Sequence, residues 1–157
     1  FGLACAALVG QALGRNGAAG AARWAWDVVQ VAMLVMGALG LPMVLAPEWI
    51  LTSIYALPPE TLAAARWPLC LVGMSMLFEA VGTVMQNALL GAGDTRRVML
   101  TAIANQWLVF LPVAWLVGPV LGLGLTAIWV ANIGYRCLQA AIFARYWRGQ
   151  RWAQIRI

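Results

Sequence analysis

The chain has no histidine and no lysine, and only 10% of its 157 residues carry charge. Without histidine there is no imidazole base and no use of the commonest metal ligand. The three cysteines, Cys5, Cys70 and Cys137, are far apart in apolar sequence. They form no CxxC pair, so neither a zinc site nor a disulfide framework is supported, and helix packing accounts for them. The sequence also lacks any nucleophile elbow or phosphate-binding loop; Gly91-Ala92-Gly93 and Gly122-Leu123-Gly124 are too short to act as one. Nothing here reads as an enzyme. The scarcity of charge excludes a soluble domain, which is usually about 25% charged. A lipid-facing surface needs no such cover.

What the chain does have is apolar length: 64% of its residues are hydrophobic and its mean hydropathy is +0.84. A membrane crossing takes about 20 mostly apolar residues. Four stretches meet this, at 28–46, 67–90, 98–118 and 121–144. Residues 1–13 are apolar but too short, and no basic segment precedes them, so they read as the end of a helix and not as a signal peptide. The chain opens at Phe1 inside that run, as expected of a piece of a longer protein. The connections carry helix-ending residues: Gly14 to Gly20, Leu57-Pro58-Pro59-Glu60, Gly91 to Thr95 with Asp94 as a cap, and Gly118-Pro119. No strand-type alternation persists, which argues against a barrel. The expected fold is all-α, a polytopic transmembrane helix bundle with 145–157 as its tail.

All ten basic residues are arginine, giving a net charge of +5 and a pI near 9.9. In a soluble protein that would suggest nucleic acid; here the arginines fall in short connections and the tail, so no nucleic-acid partner is expected. If the spans alternate, Arg15, Arg23, Arg96, Arg97, Arg145, Arg148, Arg151 and Arg156 share one side and only Arg66 lies opposite. The positive-inside rule makes the rich side, including the C-terminus, cytoplasmic. Trp24, Trp26, Trp49, Trp67, Trp147 and Trp152 sit near span ends, as an interfacial belt would place them.

One acid lies deep in a span. Glu79 is 12 residues from Gly91, roughly 18 Å of helix. An ionisable group at that depth costs about 2.5–3.5 kcal/mol or more to insert, so it normally faces a cavity or a partner and marks an ion or substrate path. Ser75, Glu79, Thr83, Gln86 and Asn87 fall along one helical face. Arg136 shares a face with Asn132 and Gln139 and lies at a comparable depth. Two arrangements are open. A Glu79–Arg136 pair would favour the charged carboxylate and work against proton carriage there; a snorkelling Arg136 would reach the interface, which its shallower position favours. Asn105 and Gln106 could line a pathway or act as interhelical glue. Met33, Met36, Met74, Met76 and Met85 are expected to pack, though such residues also adapt to varied ligands.

Three segments together resemble the MATE (multidrug and toxic compound extrusion) transporter family. Leu8-Val9-Gly10-Gln11-Ala12-Leu13-Gly14 looks like its "LVGQALGAG" helix end, and Asn87 to Arg96 is close to its "ALRGAGDTR" loop. Gly122 to Trp129 is similar to the start of its sixth or twelfth helix. The resemblance implies two six-helix lobes in the whole protein, of which residues 1–157 would be the C-terminal one, running from the end of helix 8 through helix 12. The N-terminal lobe of the same protein would be its partner. Glu79 then resembles the acidic cation-site residue of sodium-coupled bacterial members, although it is Glu rather than Asp.

That resemblance implies an antiporter of the bacterial inner membrane that exports small organic cations and drugs in exchange for Na⁺ or H⁺. No cofactor is expected; Glu79 is the candidate site for the coupling ion, with Na⁺ the one metal it would hold. Ser75, Thr83, Gln86, Asn87, Asn105, Asn132 and Gln139 are candidate lining, and Arg136 a candidate charge partner. A flippase of lipid-linked saccharides from the same superfamily would need cations for pyrophosphate, which makes Arg136 the discriminating residue. A membrane scaffold would use Glu79 only as structural glue.

Overall fold

Backbone polar groups in hydrocarbon must bond within their own segment, so long apolar runs become helices. The computed structural model describes residues 1–53 and 59–154, and among them there is no strand. The helices are α1 (Gly2–Leu45), α2 (Pro47–Ser53), α3 (Pro59–Gly91), α4 (Thr95–Ala104), α5 (Leu111–Trp115) and α6 (Gly124–Arg148). Four stretches are long and apolar enough to cross a membrane: Gly17–Leu45, Ala65–Gly91, Thr95–Val120 and Gly124–Arg148. The chain is a partial helical bundle of the expected class. The Leu57-Pro58 break and Arg156 lie outside the described residues.

The sequence suggested a loop over Gly14 to Gly20, but helical hydrogen bonding continues to either side of a sharp break at Gly17, with φ 70° and ψ −170°. Those angles are essentially open to glycine alone. The break folds α1 into two arms that pack on the same helix in opposite senses. In the first arm Gly2 meets Asn87 and Ala6 meets Gly91; in the second, Gly37 meets Leu77 and Gly40 meets Gly73. Cys5, Val9 and Ala12 from one arm and Ala21, Ala25, Val29 and Ala32 from the other are buried against Val84, Met85, Ala88 and Leu89 of α3. Small residues allow this close approach, which lipid-embedded helices need because no hydrophobic force drives them together.

At the end of α3, Gly93 adopts φ 85°. Its N–H bonds Leu90 and the Asp94 N–H bonds Leu89, at 3.0 Å each, the two bonds of a Schellman cap. Asp94 does occupy the N-cap position of α4, but its carboxylate makes no cap bond. It pairs instead with Arg97 at 3.2 Å.

The next span is not a plain α-helix as expected. Residues Asn105–Phe110 and Leu116–Val120 are π-helical. The Leu111 N–H reaches Gln106 and the Leu121 N–H reaches Leu116, each five residues back. Pro112 and Pro119 lack the N–H an α-ladder would use, and the register widens beside each. Gly118-Pro119 therefore does not close the span, which turns at Leu121–Leu123 with Gly122 and Gly124 at positive φ.

The tail also departs from expectation. Helix α6 runs to Arg148, and a 3₁₀ turn at Arg151–Gln154 folds back. Trp147 and Trp152 are almost fully buried, stacked with ring centroids 4.1 Å apart, and the Trp152 indole N–H donates to the Trp147 carbonyl at 2.8 Å. These two are core residues, not part of a lipid-facing belt; Trp24, Trp49 and Trp67 are exposed as a belt requires. Arg148 lies over Trp26 and Arg97 over Tyr146, so the arginine-rich ends of several segments gather at one end of the bundle. Arg66, at the other end, pairs with Glu48 at 3.0 Å.

Candidate functional site

Arg136 does not snorkel. Its Nη2 lies 3.4 Å from Glu79 Oε1, joining α6 to α3. The two helices run parallel and close here, with Gly82 against the backbone of Ala140. That contact brings the two charged positions to the same level. Arg136 Nη1 also donates to Gln139 at 3.4 Å, and the Gln139 amide donates to Gln86 at 3.5 Å. A polar chain, Glu79–Arg136–Gln139–Gln86, thus crosses twice between α3 and α6.

Glu79 faces two ways. Besides Arg136, it lines a cavity of about 250 Å³ with Thr83, Phe1 and Met36. Phe1 begins the first arm of α1 and Met36 lies in the second, so the glycine break at Gly17 is what brings both to this cavity. In this chain the Glu79 and Arg136 side chains keep 40% and 32% of their surface accessible. Deep in a span that surface meets lipid, a neighbouring helix or an ion path and not bulk solvent, so each charge depends on its partner.

The remaining candidates divide. Ser75 is buried but donates to the Val72 carbonyl of its own helix at 2.8 Å, and Asn87 donates to the Thr83 carbonyl at 2.8 Å while packing on Gly2. Both bond within their own helix and take no part in the chain of contacts to α6. Asn105 is 5% exposed and its amide has no hydrogen-bond partner among the described residues. Asn132 makes no side-chain bond among the described residues and stays outside the chain of contacts. Among the described residues no three His, Cys, Asp or Glu side chains cluster as a metal site would require, so a cation at Glu79 would meet one carboxylate from this chain.

Tyr135 belongs to the site although nothing in the spacing of polar residues singled it out. Its hydroxyl donates to Gln106 at 2.8 Å and its ring packs 5.0 Å from Phe110 and 5.6 Å from the Arg136 guanidinium. The available signal was chemical: a tyrosine in mid-span must find a partner for its hydroxyl. It ties the first π-helical turn to the helix that carries Arg136.

Comparison with known proteins adds to this geometry. The MatE family model matches residues 1–116. The chain is 29% identical over 107 residues to the uncharacterized transporter YisQ of Bacillus subtilis, covering 66% of this chain and 23% of that protein. It is 30% identical over 134 residues to the probable multidrug resistance protein NorM of Bradyrhizobium diazoefficiens, covering 83% and 28%. With Protein DETOXIFICATION 33 of Arabidopsis thaliana it shares 29% identity over 146 residues, covering 90% and 29%. The chain spans about a quarter of the length of these curated relatives. The helical bundle, the four spans and the family match over most of the chain agree, and the chain belongs to the MATE family of multi-pass membrane transporters.

Proposed function

We propose that this chain is the C-terminal lobe of an antiporter that exports small organic cations and drugs across a bacterial inner membrane in exchange for Na⁺ or H⁺. The observation that carries the reading is Glu79, a carboxylate held at 3.4 Å by Arg136 and at the same time open to a cavity. A deep acid of this kind is a functional residue by default. Occupancy of the carboxylate by one cation disfavours a second, which couples two flows. Arg136 takes part as a built-in competitor: it neutralises Glu79 when no ion is bound and gives way when one arrives. The cavity beside Glu79 gives an arriving ion access to the carboxylate. Alternating access would come from one lobe rocking against the other, and the arginine-rich end, with the C-terminus, would face the cytoplasm.

The pair also weighs against a lipid-linked saccharide flippase. A pyrophosphate needs uncompensated cations, and the one mid-span arginine is already matched by Glu79. A purely structural role for Glu79 is separated by experiment. In the full-length protein, Glu79→Gln is expected to abolish ethidium efflux at unchanged expression; normal export by that variant would remove Glu79 from coupling.

A further inference from the structure

A second cavity, of about 420 Å³, lies at the arginine-rich end of the bundle and is lined by Arg97, Arg145, Tyr146 and Gly149. It is larger than the one at Glu79 and shares no residue with it. Arginines that only orient a membrane protein need no recess. Here two guanidiniums converge on one. Arg97 is fixed in its wall by Asp94 at 3.2 Å and by the Tyr146 ring, 5.5 Å from its guanidinium carbon. Among the described residues no carboxylate pairs with Arg145. The Tyr146 hydroxyl accepts from Thr101 at 3.4 Å, which leaves its own proton free to donate. Gly149 ends α6 and adds no side chain to the opening. Arg96, next to Arg97 in the chain, is exposed.

Position decides what anion fits. Arg97 and Arg145 stand at the ends of two candidate spans, Thr95–Val120 and Gly124–Arg148, and the ends of membrane helices meet the headgroup region. One turn deeper from Arg97, Leu100 is exposed, and below Arg145 on the same helical face Ala141 and Leu138 are exposed. Apolar strips thus run from both arginines along their helices towards the middle of the spans. Guanidinium groups bind phosphate oxygens in pairs, and basic pockets between membrane helices suit anionic headgroups. We propose that this recess seats the phosphate of an anionic phospholipid, with Arg97, Arg145 and the Tyr146 hydroxyl as donors and the acyl chains along Leu100, Ala141 and Leu138.

The test uses the full-length protein, delipidated in detergent and offered phosphatidylglycerol, phosphatidylcholine or inorganic phosphate, with bound molecules counted by native mass spectrometry. The wild type is expected to retain phosphatidylglycerol over phosphatidylcholine by about tenfold or more, and R97Q/R145Q to fall to near parity. R145Q alone, an exposed change that leaves the Arg97–Asp94 pair intact, should lose part of the preference, and R66Q at the opposite end should keep it. Equal retention of the two lipids by the wild type overturns the proposal, as does an undiminished preference in both arginine variants. Inorganic phosphate held as firmly as the lipid overturns the lipid occupant.

Discussion

Arg136 Nη2 stands 3.4 Å from Glu79 Oε1, and this contact couples the only deep acid of α3 to the only deep base of α6. The same carboxylate borders the cavity reached by both arms of α1. Removing either member therefore changes helix packing and cavity charge together.

Because each charge is the other's partner within the spans, E79Q and R136Q should each destabilise the protein, and the double variant should recover most of the loss. Thermal unfolding in detergent measures this. Transport should divide differently. R136Q is expected to lower the ion concentration for half-maximal efflux and slow the maximal rate, since Glu79 then lacks its competitor, whereas the double variant stays inactive. An R136Q protein with unchanged ion dependence would remove Arg136 from the cycle.

Gly40 and Gly73 offer a sharper packing test. A Cβ on Gly40 would lie 2.6 Å from the Gly73 carbonyl oxygen, whereas one on Gly14 would have nothing within 4 Å. G40A is expected to destabilise by about 1–3 kcal/mol, with the two backbones forced apart. G14A should be neutral or stabilising by up to about 1 kcal/mol. Equal melting temperatures for the two would contradict the close seam.

At Gly17 the cost is conformational. G17A has open space around it, yet the φ of 70° with ψ near −170° should make it about 1–3 kcal/mol less stable. A cysteine pair placed across the two arms should cross-link less readily in G17A than in the parent protein.

Tyr135→Phe keeps the ring against Phe110 and deletes only the 2.8 Å bond to Gln106. The expected loss is about 1 kcal/mol. A larger drop in efflux than in stability would indicate that the π-helical turn at Asn105–Phe110 moves during transport, as such turns at functional sites often do.

Much of this was legible in the sequence because lipid imposes simple rules. The length and apolarity of four runs were enough for the spans, and the glycines around Asp94 for a helix end, later found as a Schellman cap at Gly93. Insertion cost alone singled out Glu79. The rest depended on packing. Whether Arg136 would turn to Glu79 or to the interface is decided by the approach of Gly82 to Ala140, a contact between residues with no polar signal. Ser75 and Asn87 shared a face with Glu79, but their own backbone carbonyls satisfied them first. Trp147 and Trp152 looked interfacial from their position because nothing in a one-dimensional string shows the tail folding back on itself. The π-helical turns were equally hidden: two prolines warn of a disturbed ladder without saying how it re-forms.

The break at Gly17 settles a matter of length. Helix α1 is 44 residues of nearly continuous hydrogen bonding. As one straight rod it would reach about 66 Å, roughly twice the hydrocarbon thickness of a bilayer. A reversal at one glycine makes it two segments of opposite sense. Each arm then fits within a bilayer, and Arg15 and Arg23 flank the bend between them. One backbone angle thus makes a helix too long for a membrane fit inside one.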